Sequence, residues 1–362
     1  MDDEIINRKF DHLKIPIEYD VQHPENYFKY IRIIHHSLPT YELNEIDLSI
    51  EFFGKKVSAP ICIAGMTGGH SIAKNINKIL AKAADKENII MGVGSQRVAL
   101  ENPNLSDTFE IVRQEAPEIP IIGNIGIGQI SDKNFNETDF ERCIDMIDAD
   151  VMAIHFNALH ELIQNKGNTS FKLFEKNFLS LRKHFKIPII AKETGTGFNS
   201  EIAKYLDGIG FDGFDIGGYG GTSFPLIESK RNNSEIKDFS RNPAEVFNNW
   251  GIPTPVSVLY VRSVSSKPII ATGGLRSGID IVKAILLGAD IGGIAYNFLT
   301  AAWKDYKQNS IENTIREIKT LKNEIRAALW LINSNSITKI KGDRKKLIYL
   351  GNLYYWLNQI SF

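Results

Sequence analysis

Cysteine is nearly absent from this chain. Cys62 and Cys143 are the only two in 362 residues, too few for a disulfide framework or a cysteine-based zinc set. An excess of charge is missing as well: Lys+Arg 42 against Asp+Glu 43 leaves a net charge of −1. No global field therefore draws the protein to nucleic acid or to an acidic membrane surface. No run approaches the roughly 18–20 apolar residues that a bilayer requires. The first residues, MDDEIINRKFDHL, are charged and carry no apolar h-region. There is no low-complexity tract, and the one dense basic run, KIKGDRKK at 339–346, reads as a solvated helix end or loop. These absences predict a soluble cytoplasmic protein with neither a nucleic-acid nor a membrane partner.

What the chain does contain is a period. Short apolar runs recur near 60–64, 89–94, 120–124, 151–155, 187–192, 211–216, 268–272 and 290–295. Amphipathic stretches at 72–86, 105–116, 138–148, 171–185, 200–208 and 278–287 separate them. Strands apolar on both faces and joined by helices imply a parallel sheet covered on both sides. Eight such units predict an α/β protein built as a (β/α)8 TIM barrel, which needs about 250 residues. The span 60–300 supplies them. Residues 1–59 then form an N-terminal extension and 301–362 C-terminal helices that pack on the barrel. An insertion at 219–264 follows the sixth strand, with Asn242 before Pro243 as a helix start and Gly251 as its end.

In such a barrel, ligands meet the C-terminal ends of the strands. The segments at that rim are GMTGG (65–69), SQR (95–97), Asn124, HFNALHE (155–161), Lys192 with Glu193, GGYGGTS (217–223) and GGLRSG (273–278). Glycine turns alone account for some of these, but functional side chains accumulate on the same rim. GGLRSG opens a helix whose free N–H groups suit an anion, with Arg276 adding a cation. Lys192 fits a structural ion pair with Glu193 or another rim acid, and equally a Schiff-base lysine. The cluster RKFDH at 8–12 is either a solvated charge run or an arm folded over the rim. HFNALHE is a metal site, a catalytic group or the wet end of a strand. A zinc site there lacks the three or four N/S ligands it needs.

Taken in order, NRKFDH (7–12), GMTGG, GVGSQR (92–97), PIIGNIG (120–126), HFNALHE, PIIAKETGTG (188–197), GGYGGTS, NWGIPT (249–254) and GGLRSG resemble the FMN-dependent, type 2 isopentenyl-diphosphate isomerases. The resemblance runs from residue 7 to about residue 297. It implies FMN at the rim, with its ring system against Gly65, Met66, Thr67, Ser95, Asn124 and Lys192. Its phosphate would lie on Thr222, Gly273, Gly274, Arg276 and Ala295. It further implies a five-carbon alkenyl diphosphate held by Arg8, Lys9, His12, Arg97, His155, Asn157 and His160, with Mg2+ on Glu161 and Asn157. His155, His160 and Lys192 become the catalytic candidates, NADPH the reductant of the flavin, and a homotetramer or larger assembly the expected state. The chain departs from the family pattern at Phe156, Ala158 and His160 (where HLNP-x-QE is usual), at Asn168, at Gly217 and at Phe224. FMN barrels that oxidise α-hydroxy acids share the GG-x-R-[ST]-G loop, but this chain lacks the SNHGGRQ-like segment that carries their base.

Overall fold

Each apolar run is β-branched and short, and each is followed by a segment with helical spacing, so local preference and pattern agree on alternating strand and helix. The computed structural model describes residues 3–358 apart from 165–166, 232–241 and 243–245, with side chains described from residue 9 onward. Its barrel strands are β1 (Ile61–Ile63), β2 (Ile90–Gly92), β3 (Ile121–Gly126), β4 (Val151–Phe156), β5 (Ile189–Glu193), β6 (Gly213–Asp215), β7 (Ile269–Ala271) and β8 (Ile291–Ile294). All pair in parallel and close into one barrel. The expected eight-stranded barrel is therefore present. Its strands run one or two residues off the expected bounds, and β3 continues past Asn124 to Gly126. Of the expected helix start at Asn242–Pro243, Pro243 lies outside the described residues, while the Asn242 side chain donates to Ser229 Oγ at 2.8 Å.

Side-chain alternation explains how the barrel is filled. Cys62, Ile90, Ile122, Val151, Ala153, Ile190, Ile270 and Ile291 face inward and form one buried cluster with Phe52 and Val57. The two latter residues belong to a hairpin, Ile50–Phe52 paired with Lys55–Val57. This part of the N-terminal extension thus plugs the barrel's base. Residues of opposite parity, such as Ile63, Met91, Ile154 and Phe214, join the larger cluster beneath the surrounding helices. The long helix Glu312–Leu331 packs on the flank, against Ser71–Glu87, Gly278–Leu287 and Tyr296–Gln308.

Counting on by two from the apolar layer reaches the mouth. Ile122 leads to Asn124, Ala153 to His155, Ile190 to Lys192, Gly213 to Asp215 and Ile270 to Thr272. One pleat therefore carries the polar set of five neighbouring or near-neighbouring strands into a single layer. Over that layer lies the helix Asp3–Glu18, which packs on Phe224–Arg231 and Tyr296–Gln308.

The side of the barrel beneath β4–β6 rests on an aromatic stack. Phe178 and Phe211 are fully buried, 4.2 Å apart between centroids and nearly coplanar at 6°. Phe178→Ala removes that ring from a packed site, so chemical denaturation should show about 3–5 kcal/mol lost. A loss under about 1 kcal/mol would mean the stack is not a principal support of this side.

Candidate active site

The mouth holds two adjoining cavities that share His12, Gly65, Met66, Lys192, Thr194 and Phe224. One, of about 880 Å³, is polar: Lys9, Ser95, Arg97, Asn124, His155, Asn157, His160 and Glu161 line it. The other, of about 1070 Å³, is mostly apolar, and Gly217, Gly218, Thr222, Gly273, Gly274, Arg276, Ala295 and Tyr296 are among its walls. The structure thus brings the expected cofactor residues and the expected diphosphate residues into neighbouring chambers. Thr67 is the exception: it is buried, and its carbonyl accepts from Gly94 N–H and from Asn77 Nδ2. Arg8 lies outside the residues whose side chains are described.

The apolar chamber exists because two glycine loops lie backbone against backbone. A Cβ on Gly273 would stand 2.1 Å from the carbonyl oxygen of Gly218, and one on Gly217 would stand 1.8 Å from that of Glu193. Gly217 also has φ +50°, so the glycine that replaces the family's serine is demanded by its own backbone. Behind the loops, Thr254 Oγ1 donates to Gly273 O at 2.6 Å and Asn26 Nδ2 to Gly274 O at 2.6 Å. Arg276 Nη2 donates to Gln22 Oε1 at 2.6 Å, and Gln22 Nε2 donates to Thr222 Oγ1 at 3.2 Å. Gln22 therefore bridges the two expected phosphate contacts, and nothing in its sequence neighbourhood signals it. Ser277 caps the helix Gly278–Leu287, whose first N–H, on Gly278, is taken by Glu324 Oε2 at 2.6 Å and so is not presented to the chamber as the sequence led one to expect.

Lys192 stands where the chambers meet. It pairs with Asp215 Oδ2 at 2.7 Å, not with Glu193, and Asp215 also accepts from the Thr272 hydroxyl. Glu193 is turned back into its own loop, accepting N–H bonds from Gly195, Thr196 and Gly197 at 2.5–2.9 Å. Burial nevertheless pushes its carboxyl up to about 7.

HFNALHE divides into three tasks. Asn124 Nδ2 donates to Val93 O at 3.1 Å, which leaves its Oδ1 to accept from His155 Nδ1 at 2.8 Å. His155 is thereby fixed with Nε2 toward the cavity, and burial, helped by Lys9 and Lys192, holds its pKa down at about 3. One turn on, Asn157 and Glu161 face the same way, as i,i+4 spacing requires. Asn157 Nδ2 donates to Glu161 Oε1 at 2.9 Å, and Asn168 N–H donates to Oε2 at 2.7 Å. Asn157 Oδ1 is buried without a partner. An orphaned amide oxygen beside a carboxylate is a donor set that suits Mg2+.

His160 does something else. Its ring stacks on Phe224 at 4.3 Å, and its Nε2 lies 3.2 Å from Glu228 Oε1. His12 Nε2 lies 3.0 Å from the same oxygen, and Arg231 Nη1 donates to Oε2 at 2.6 Å. Glu228 is fully buried; bonded to both imidazoles, its carboxyl is held far below the usual range. Sequence reading missed Glu228. The available signal was its place one helical turn after Phe224 in FPLIESKR.

Comparison with known proteins agrees with this geometry. A family described as FMN-dependent dehydrogenase matches residues 16–103 and 164–347. A protein of Methanococcus maripaludis named isopentenyl-diphosphate delta-isomerase is 41% identical over 98% of both chains. One of the same name from Archaeoglobus fulgidus is 39% identical over 97% of this chain and 98% of that one. The recombinant flavin-binding domain of baker's yeast flavocytochrome b2 is 17% identical, with TM-score 0.65 over 98% of this chain and 88% of that one. A mandelate oxidase variant with (S)-mandelic acid is 14% identical, with TM-score 0.61 over 95% of this chain and 94% of that one. These two likenesses are of fold.

Two buried histidines make stability depend on pH. Burial lowers His155 to about 3 and His23 to about 4. Both stay neutral when folded, whereas an unfolded imidazole takes a proton near pH 6.5. Stability is therefore fully present above about pH 6.5 and declines as pH falls toward the folded values. Between pH 7 and 5 each histidine should cost about 2 kcal/mol. Urea midpoints across that range should drop, and the slope should flatten in His23→Gln. A slope in His23→Gln identical to that of the wild type would contradict the buried, neutral state of His23.

Proposed function

The chain belongs to the isopentenyl-diphosphate delta-isomerase family, and on that footing we propose how its two chambers divide the work. The protein is an isomerase that converts isopentenyl diphosphate to dimethylallyl diphosphate with FMN. One observation carries the division: a cation-lined polar chamber opens directly onto a glycine-walled apolar one, with Lys192 between them.

The apolar chamber suits FMN. Its flat, backbone-lined walls admit a ring system, Arg276 and Thr222 receive the phosphate, Gly65 and Met66 border the ring, and Ser95 and Asn124 reach it from the polar chamber. Bound and reduced, FMN supplies the acid–base chemistry and an electron-rich face beside developing positive charge. Lys192, oriented by Asp215, sets a cation against the ring's polar edge. NADPH serves only to bring the flavin to its reduced state, since a double-bond shift has no net redox change.

In the polar chamber Lys9 and Arg97 hold the diphosphate, and Mg2+ on Asn157 Oδ1 and Glu161 neutralises it further. His155 positions a phosphate oxygen or its water; the bond from Nδ1 to Asn124 fixes which nitrogen it presents. The alkenyl group then lies toward Met66, His160 and Phe224. Reaction adds a proton at one end of the allylic unit and removes one from C2. The helix Asp3–Glu18 keeps bulk water from the carbocation-like state between them. His160 and His12, both tied to Glu228, are the protein's own groups nearest to that carbon chain.

The same reading makes the enzyme cytoplasmic; among the described helices none is long and apolar enough to cross a membrane. It also makes it a homotetramer or larger. Ile34, Leu38, Ile348, Leu350, Tyr354 and Tyr355 are exposed around a sheet that joins the two ends of the chain, and a monomer mass in light scattering would refute assembly.

Purified protein under anaerobic conditions with FMN, NADPH, Mg2+ and isopentenyl diphosphate should form dimethylallyl diphosphate, and omission of FMN or Mg2+ should stop it. No product from a protein that binds and reduces FMN would sink the substrate assignment. Glu161→Gln should raise the Mg2+ concentration needed for half-maximal rate by about 10–100-fold while FMN content stays at the wild-type level. An unchanged Mg2+ requirement would remove Glu161 from the metal site.

A further inference from the structure

The cluster of His12, His160 and Glu228 has a geometry that hydrogen bonding alone does not require. The ligand atoms of all three residues lie within 4.8 Å of one another. Both imidazoles aim Nε2 at a single carboxylate oxygen, at 3.0 and 3.2 Å. In a tetrahedral zinc site, bond lengths of about 2.0–2.2 Å put neighbouring ligand atoms about 3.3 Å apart. Two of the three edges are already at that spacing. Only the edge between the imidazoles has to close, which small side-chain rotations accomplish.

We propose that His12, His160 and Glu228 form a binding site for a divalent transition metal of the zinc class, separate from the oxygen site at Asn157 and Glu161. Two imidazoles and one carboxylate favour Zn2+, Co2+ or Ni2+ over Mg2+, which prefers oxygen donors. The cluster supplies three protein ligands and leaves the fourth position to water or to a phosphate oxygen in the cavity. Access is from the mouth, since both histidines line the polar chamber and the carboxylate lies buried behind them.

The change on binding is small. Arg231 continues to hold Glu228 Oε2, so Oε1 remains for the ion. With the ion bound, each imidazole carries its proton on Nδ1 and presents the Nε2 lone pair. The attraction of the metal for Oε1 replaces two hydrogen bonds to the same atom. The histidine at position 160 is indispensable, because an amide in its place offers a carbonyl oxygen and no imidazole. An ion at this site locks the helix Asp3–Glu18 to the helix Phe224–Arg231 across the entrance, a metal-dependent closure independent of turnover.

Holo-protein without substrate, carrying His35→Gln and His36→Gln to remove two exposed imidazoles at the far surface, should be titrated with Zn2+ and with Co2+ in millimolar Mg2+. One equivalent should bind by calorimetry, and Co2+ should give the visible bands of a low-coordinate site. His160→Gln and His12→Gln should each weaken binding at least tenfold, whereas Glu161→Gln should leave it unchanged. Absence of binding, or binding that survives both histidine changes, overturns the site. Loss of Zn2+ in Glu161→Gln also overturns it, since the ion would then occupy the Mg2+ position. None of these readouts uses turnover, so their failure leaves the isomerase reading untouched.

Discussion

A buried carboxylate organises the entrance to this barrel. Glu228 has no exposed surface, and an ionised carboxylate in such a place is tolerable only when donors surround it. Its donors come from three segments: Arg231 from its own helix, His160 from the turn after β4, and His12 from the N-terminal helix. The N-terminal helix is held at the rim at its end by a β-bridge between Gln22 and Thr222 just beyond it, and within the helix by His12. Its apolar contacts, Leu13 and Ile15, are buried, and the carboxylate fixes where along the rim they settle. Both chambers owe their roof to that placement, because His12 lines each of them.

The opposite wall is governed by the absence of side chains. Loops 217–221 and 273–274 approach so closely that a Cβ on Gly221, Gly273 or Gly274 would stand within 3 Å of a backbone atom of the other loop, and their mutual distance sets the width of the slot. Polar anchors behind the loops, Thr254, Thr272 and Asn26, hold the glycines that are otherwise the most mobile residues of the chain. A rigid wall and a roof held by titratable groups is a sensible division. In the division of work proposed above, the wall positions the cofactor, whereas the roof admits and releases the substrate.

Much of this was legible in the sequence because strand periodicity is rigid. Once the apolar runs mark which parity faces inward, Asn124, His155 and Lys192 must share a layer at the mouth, and the structure places them there. The pairing of Asn157 with Glu161 followed in the same way from helical spacing. What sequence could not supply were the partners that cross between elements. Lys192 has an acid next to it in the chain, Glu193, yet alternation sends that residue to the other face and leaves Asp215, 23 positions on, as the true partner. Gln22 and Glu228 are further cases. Each acts through residues separated from it by dozens or hundreds of positions, where no local period reaches.

The departures from the family pattern gain meaning from the same contacts. His160 and Phe224 are 64 positions apart in the chain, yet their rings stack face to face and both border the polar chamber. They also share an anchor, because His160 reaches Glu228 from the helix that Phe224 begins. A carboxamide at position 160 would offer Glu228 an N–H with fixed protonation. The imidazole offers one whose proton can leave, or whose nitrogen can take a metal. The two positions therefore act as one unit, stacked on each other and tied to the same helix, and the imidazole changes what the buried carboxylate can exchange with the solvent-facing side of the site.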